Sequence, residues 1–194
     1  KVCSPVVIDS ETIAPDVVKL RLDGDLTAIS AGDLACNYFR APEIYISGVK
    51  VGNNRPRGIL LNSSKKTLVE NCEFSTCEHG VELAGDNDYW FESGRCEDVT
   101  VRNCLFNDCN YSAGSYAIYI RPVYTPTDEA KYYHGKVNIL DNRFIGCVKG
   151  MVSARGVESI TVKGNTYEKS KIYPESNRSR GSFRFDNCGI NSTF

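Results

Sequence analysis

One short pattern recurs along the chain and limits what it can fold into. Val99-Thr-Val-Arg-Asn-Cys-Leu-Phe-Asn-Asp-Cys109 reads as a short strand, a turn and an apolar plug at Phe106. The same shape returns in Thr67–Cys77, in Val137–Cys147 and in Ile160–Tyr167, with a weaker copy in Ile44–Val51. Aligned on their plugs, Val51, Phe74, Phe106, Phe144 and Tyr167, the copies are spaced by 23, 32, 38 and 23 residues. A fixed short period with the excess confined to particular stretches is the mark of a solenoid whose insertions emerge at chosen turns. The excess falls in Ala84–Gly94, in Asn110–Ser115 and in Tyr124–Gly135.

A rung of roughly 23 residues holds three strands of about 3–5 residues and three turns. A second strand follows each plug: Gly58–Asn62, Gly80–Ala84, Tyr116–Arg121, Gly150–Ala154 and Gly181–Asp186, most of them opening on a Gly suited to a tight corner. Alternation turns Ile59, Leu61, Val81, Leu83, Ile118, Ile120, Phe183 and Phe185 inward. It leaves Leu60, Asn62, Glu82, Ala84, Tyr119, Arg121, Val152 and Arg184 on the outer face. Asn142 and Asn165 suit a left-handed corner and hydrogen bonds along a stack of turns. The expected fold is all-β: a right-handed parallel β-helix of about five rungs over residues 41–194. A leucine-rich repeat would need several Leu per period and an adjoining helix, and neither appears. Residues 1–40 lack the repeat. Val6–Asp9, Val17–Leu22 and a turn and strand in Ile29–Ala35 are read as a small antiparallel β element, the remnant of an inserted subdomain.

Nine cysteines cannot all pair within one chain. Cys77, Cys109 and Cys147 each follow a plug by three residues, and Cys72 and Cys104 each precede one by two. They read as small hydrophobes stacked rung over rung. Disulfides stay open as an alternative for an exported protein. A net charge of −1 gives no field that would attract nucleic acid or an anionic membrane. No apolar run is long enough for a transmembrane helix. The chain begins at Lys1, as a mature form or a piece of a longer protein would. An exposed rung at a cut end is expected to drive self-association through the β-helix ends.

The densest chemistry lies in Gly85-Asp-Asn-Asp-Tyr-Trp-Phe-Glu-Ser-Gly94, which carries the sole Trp and follows the strand bearing Glu82. Trp90 offers a flat apolar platform for a sugar ring, and Asp86, Asp88, Glu92 and Glu82 offer partners for hydroxyls. Two other readings compete. Trp90 and Phe91 fold the loop back onto the helix while Asp86 and Asp88 make turn bonds, or the oxygens take calcium, against the missing EF-hand spacing. No cofactor or metal is expected. A second candidate is the outer ladder of Arg57, Asn62, Glu82, Tyr119, Arg121 and Arg184, a solvated face or a sugar-binding column. His79 and His134 are read as turn residues without a nucleophile partner, and Asp98, Asp108 and Asp141 as corner residues.

Asn53-Asn-Arg-Pro-Arg-Gly-Ile-Leu-Leu-Asn62, Leu68-Val-Glu-Asn71, Ala84–Gly94 and Asp98-Val-Thr-Val-Arg-Asn103 together resemble glycoside hydrolase family 110, the bacterial α-1,3-galactosidases. The resemblance covers about Gly32 to Glu168, and the Gly-Asp-x-x-Tyr-Trp-Phe-Glu-Ser-Gly run is its most specific part. It implies a β-helix interrupted by a small β insertion, and inverting, metal-independent removal of terminal α-galactose from glycans by a secreted or cell-surface protein. The family's Asp-Asp pair and the Asn-x-His-Gly-like segment after it have no match here. The resemblance therefore implies the later part of the enzyme's β-helix, inactive alone, or a relative without the chemistry. The alternative is a non-catalytic carbohydrate-binding or structural β-helix. Arg57, Glu82, Trp90, Glu92 and Asp86 are carried over as substrate-binding candidates, and no catalytic residue is.

Overall fold

The computed structural model describes residues 3–33, 35–86, 89, 90, 92, 94–111, 116–126, 131–147, 150–174 and 183–191. Contacts divide these into two compact units, one ending at Ala35 and the other beginning at Cys36. In the first, β1 (Val6–Ala14) and β2 (Val17–Asp23) form an antiparallel hairpin. The strand expected within Ile29–Ala35 does not form among the described residues. The Ser30 N–H donates to the Asp33 carboxylate at 2.7 Å, and the Asp33 N–H to the Ser30 carbonyl at 3.1 Å. A side chain bonding the backbone three residues back favours a turn over a ladder.

The second unit winds through five rungs of three strands. The first is β3 (Glu43–Ser47), β4 (Lys50–Gly52) and β5 (Arg57–Leu61). The second is β6 (Ser64–Glu70), β7 (Glu73–Ser75) and β8 (His79–Leu83). The third is β9 (Cys96–Arg102), β10 (Leu105–Asn107) and β11 (Ile118–Ile120). Then come β12 (His134–Leu140), β13 (Arg143–Ile145), β14 (Val152–Lys163), β15 (Thr166–Glu168) and β16 (Phe183–Ile190). The first part of β14 closes the fourth rung and its second part opens the fifth. Every pairing between rungs is parallel and joins corresponding strands.

The plug alignment is the register of one sheet: Val51 pairs with Phe74, Phe74 with Phe106, Phe106 with Phe144, and Phe144 with Tyr167. The three Phe rings are fully buried and stack with centroids 5.2 and 4.9 Å apart. That stack explains the glycine at the second position of β5 and of β8. A Cβ on Gly58 would lie 2.7 Å from the Phe74 ring, and one on Gly80 2.6 Å from the Phe106 ring. These positions need space, not an unusual φ.

The corners correct several readings. At the corner between the first and second strand of each rung the left-handed residue is Gly48, Asn71, Asn103, Asp141 or Gly164, with φ between 52° and 69°. Each stands one place before the column to which Asn142 and Asn165 belong. Those two asparagines instead bond along the stack. Asn142 Oδ1 accepts from the Cys104 N–H at 3.0 Å and its Nδ2 donates to the Val101 carbonyl at 3.0 Å. Asn165 does the same one rung on, for Asn142 N–H and the Ile139 carbonyl. Cys77 does not share a column with Cys109 and Cys147. Asp108 and Gly146, both left-handed, each add a residue after the plug strand, so Cys109 stacks on Thr76. Cys77 is left half-buried with its Sγ 2.8 Å from the Tyr111 hydroxyl. None of the nine cysteines is in a disulfide. Burial pushes Cys104 up to about 12 and Cys96 and Cys109 to about 11, which keeps them protonated and inert.

Val152 faces the core, not the exterior, because it pairs with Ile118 in the inward row. Gly150 misled the alternation: its carbonyl accepts from the Ala117 N–H, one step earlier than the corner held by Gly58 and Gly80. His79 and His134 open strands β8 and β12 and do not stand in turns. Asp98 lies within β9, between Lys66 and Lys136 on the neighbouring strands, where opposite charges support the ladder.

Candidate functional site

The outer face of the β5-β8-β11-β14-β16 ladder carries Leu60, Glu82, Tyr119, Ser153 and Arg184 in one register row. Each strand is about 4.8 Å from the next, so these side chains are neighbours. Glu82 stands out, because an outward-facing carboxylate is here fully buried. Arg121 donates from Nε to Glu82 Oε1. Arg57 Nη1 lies 3.1 Å from Oε2, an ion-pair contact whose angle gives no hydrogen bond. One carboxylate thus holds two guanidiniums whose own side chains remain 34 % and 50 % exposed. A charge this deep is stable only because it is paired. The pairing tethers both guanidiniums to this face.

Tyr119 joins this group from both sides. Its ring centroid is 4.8 Å from that of His79, and the Arg121 guanidinium lies 5.5 Å from it. His79 Nδ1 is 2.9 Å from the Tyr116 carbonyl, so this nitrogen carries the proton and donates. Burial holds the His79 pKa below the ordinary histidine value, against the pull of that carbonyl and of Glu82. Its imidazole is therefore neutral at neutral pH and adds no charge to the cluster.

The Gly85–Gly94 loop is pinned at its base. Gly85 sits against the Tyr133 ring and Gly94 against Ser63, each too close for a Cβ. The Asp86 N–H donates to the Glu92 carbonyl at 3.3 Å, and Asp86 Oδ1 accepts from the Tyr89 N–H at 2.8 Å. Asp86 is thus a turn former. Trp90 is 68 % exposed and edge-on to Tyr89, so it does not fold the loop back onto the helix. Asn87, Asp88, Phe91 and Ser93 lie outside the described residues. Glu92 accepts from Asn62 Nδ2 at 3.2 Å, which ties the loop to the end of β5.

Of the five substrate-binding candidates, the structure brings Arg57 and Glu82 together and joins Asp86 to Glu92 through the backbone. Trp90 stands in solvent beyond them. Sequence reasoning placed Arg121 and Tyr119 on this face but did not see His79 against them. The signal was available in the register, since β5 and β8 pair Arg57 with His79. Among the described residues, no group of three or more His, Cys, Asp or Glu is placed to hold a metal ion.

Residues 27–166 match the family described as right handed beta helix region. The chain belongs to this right-handed beta helix family. It is also similar to the α-1,3-galactosidases, as its motifs suggested. It is 34 % identical over 150 residues to alpha-1,3-galactosidase A of Shewanella woodyi, covering 77 % of this chain and 24 % of the relative. It is 33 % identical over 150 residues to alpha-1,3-galactosidase B of Bacteroides thetaiotaomicron, covering 75 % and 24 %. Against alpha-1,3-galactosidase A of Bacteroides fragilis the identity is 25 % over 190 residues, covering 95 % and 31 %. The chain thus spans about a quarter of the length of the first two relatives. No helix among the described residues is long and apolar enough to cross a membrane.

Proposed function

We propose that this chain is the later β-helix portion of an inverting α-1,3-galactosidase acting on terminal α-galactose of glycans. It supplies sugar contacts, and the catalytic aspartates stand outside these 194 residues. In the whole enzyme one carboxylic acid protonates the glycosidic oxygen while a second carboxylate activates water on the opposite face of the ring. The observation that carries this reading is the buried Glu82, which holds two half-exposed arginines on the outer face of a solenoid ladder. A buried ion pair adds little net stability to a scaffold, whereas donors held in this way suit sugar hydroxyls. Similarity to named α-1,3-galactosidases over most of the chain supports the same substrate. Trp90 and Glu92 on the adjoining loop would add the apolar platform and an acceptor. This reading puts the protein outside the cell or at its surface.

A non-catalytic sugar-binding β-helix is the second reading. It is favoured by the neutralisation of Glu82 between Arg57 and Arg121. Titration of this chain with an α-1,3-linked galactose disaccharide, followed by calorimetry and by release of free galactose, separates the two. Binding without turnover here, with turnover once the upstream sequence is present, is the expected result. Binding without turnover in both forms would favour the second reading. Trp90→Ala is expected to weaken disaccharide binding about tenfold, within the range for loss of one aromatic contact. Unchanged affinity would remove the loop from the site. We also propose self-association through β3, β4 and β5, which stand at the ends of their sheets. Sedimentation showing a monodisperse monomer would refute it.

A further inference from the structure

The same ladder carries more positive charge than a neutral sugar requires. Its outward charged positions are Arg57, Glu82, Arg121, Arg155, Arg184 and Asp186, four arginines against two carboxylates. Glu92, held on Asn62 at the edge of the ladder, and Glu78, whose charge acts on His79, lie outside these strand positions. The arrangement of these charges is unusual as well. Ile120 pairs with Ala154, so Arg121 and Arg155 follow at the same level on adjacent strands. Like charges side by side on a sheet are destabilising unless something neutralises them. Arg121 spends only its Nε on Glu82, and its two terminal nitrogens have no partner among the described residues. Arg155 lies over the Tyr124 ring at 5.4 Å, with Asp186 at 3.6 Å as its carboxylate partner. Arg184 is exposed two strands from Tyr119 along the same row.

Glu82 sits beneath this surface with no exposed area. It orients Arg57 and Arg121 without being able to swing out and compete for them. A guanidinium held between a buried carboxylate and the Tyr119 ring, with its remaining N–H groups turned to a wet face, is preorganised for a planar or tetrahedral oxyanion. We propose that the Arg121–Arg155 level of the ladder binds an oxyanion substituent on the glycan, a sulfate ester or a uronate carboxylate, beside the galactose. This assignment rests on the sugar-binding reading of the same face. It names the substrate class as an acidic rather than a neutral glycan.

The test is calorimetric titration of the chain with four probes: an α-1,3-linked galactose disaccharide, the same disaccharide carrying a sulfate ester, one carrying a uronic acid, and inorganic sulfate alone. One acidic disaccharide is expected to bind about tenfold more tightly than the neutral one at low salt. That gain should shrink as salt screens it. Which acidic probe gains identifies the anion. In Arg121→Gln the ratio of acidic to neutral affinity should fall towards one, and Arg155→Gln should lower it independently if Arg121→Gln does not fold. Equal affinity for neutral and acidic probes overturns the proposal and leaves the galactose reading standing. Arginine-dependent binding of sulfate with no binding of any disaccharide upholds the anion site and overturns the galactose reading. Absence of binding by all four probes overturns both.

Discussion

Val51, Phe74, Phe106, Phe144 and Tyr167 stack along one side of the solenoid, and Leu60, Glu82, Tyr119, Ser153 and Arg184 stack along another. Both rows obey the same parallel register. In the first, one apolar chemistry is repeated, and Phe106 stacks on an identical ring on each side. In the second, every rung presents a different side chain. Repetition is what a scaffold needs, because one packing solution serves every rung. A row in which the backbone repeats but the side chains do not has been shaped by something other than stacking. The contrast separates frame from site within a single fold.

The comparison fails most visibly if the repeated row is not the stronger of the two. Phe106 lies in the middle of its stack, fully buried between Phe74 and Phe144. Phe106→Ala is expected to lose about 3–5 kcal/mol, because it removes the ring and leaves a cavity that rigid neighbouring strands cannot close. Tyr167 ends the same row and is 44 % exposed, so Tyr167→Ala should cost well under half as much. Urea unfolding of the two variants reads the difference. Equal losses would mean that the rungs do not share their packing along the stack.

A smaller effect sharpens the contrast between interior and exterior charge. The outer ladder buries a carboxylate because two arginines meet it. The interior holds His134, fully buried, with Nδ1 accepting from the Cys96 N–H at 3.3 Å and Nε2 without a partner among the described residues. Burial, aided by Arg95, lowers its pKa to about 3 from the usual 6.5. Below 6.5 the unfolded chain takes up a proton that the folded chain refuses. Stability should therefore fall as pH drops from 6.5 towards 3, by about 1.4 kcal/mol per pH unit from this group. At pH 5 the loss is about 2 kcal/mol. His79, also lowered, acts in the same direction. The carboxylates held down by partners, Glu70 by Tyr45 and Arg102 and Glu168 by Arg143, lose their contribution only in the more acidic range. Chemical denaturation between pH 5 and 7 isolates the histidines. An unchanged slope in His134→Gln would show that His134 is not the group responsible.

Much of this was legible in the sequence, and what was not has a physical pattern. The plug row was readable because an aromatic at a fixed place in each copy has one structural meaning. Cys72 and Cys104 were readable for the same reason. Errors gathered where the chain inserts or omits one residue. Asp108 and Gly146 shifted Cys109 and Cys147 away from Cys77, and the displaced Gly150 turned Val152 inward. A one-residue slip reverses which face a strand presents, and no local signal announces it. The burial of Glu82 was hidden for another reason. Alternation says only that a side chain points outward, whereas Arg57 and Arg121, 25 and 39 residues away, cover it. The loop around Trp90 was conspicuous in composition, yet its turn chemistry at Asp86 and the exposure of Trp90 depend on how Gly85 and Gly94 pack.

Tyr119 offers the finest test of the division between frame and site. It occupies the row of Glu82 and Arg184 and is half-buried, touching His79 on one side and Arg121 on the other. Neither contact fills a cavity as the Phe stack does. The Arg121 contact is half-exposed and the His79 contact is made to a buried ring, each worth about 0.5–1 kcal/mol. Tyr119→Ala should therefore cost about 1 kcal/mol of stability, much less than Phe106→Ala, and Tyr119→Phe almost none. Its effect on ligand binding should be larger than its effect on folding, because removing the ring frees Arg121 to move about its one bond to Glu82. Denaturation and disaccharide titration of the same sample give both numbers. A loss of stability matching that of Phe106→Ala, with ligand affinity unchanged, would make the outer row a second scaffold and end the distinction drawn from its irregularity.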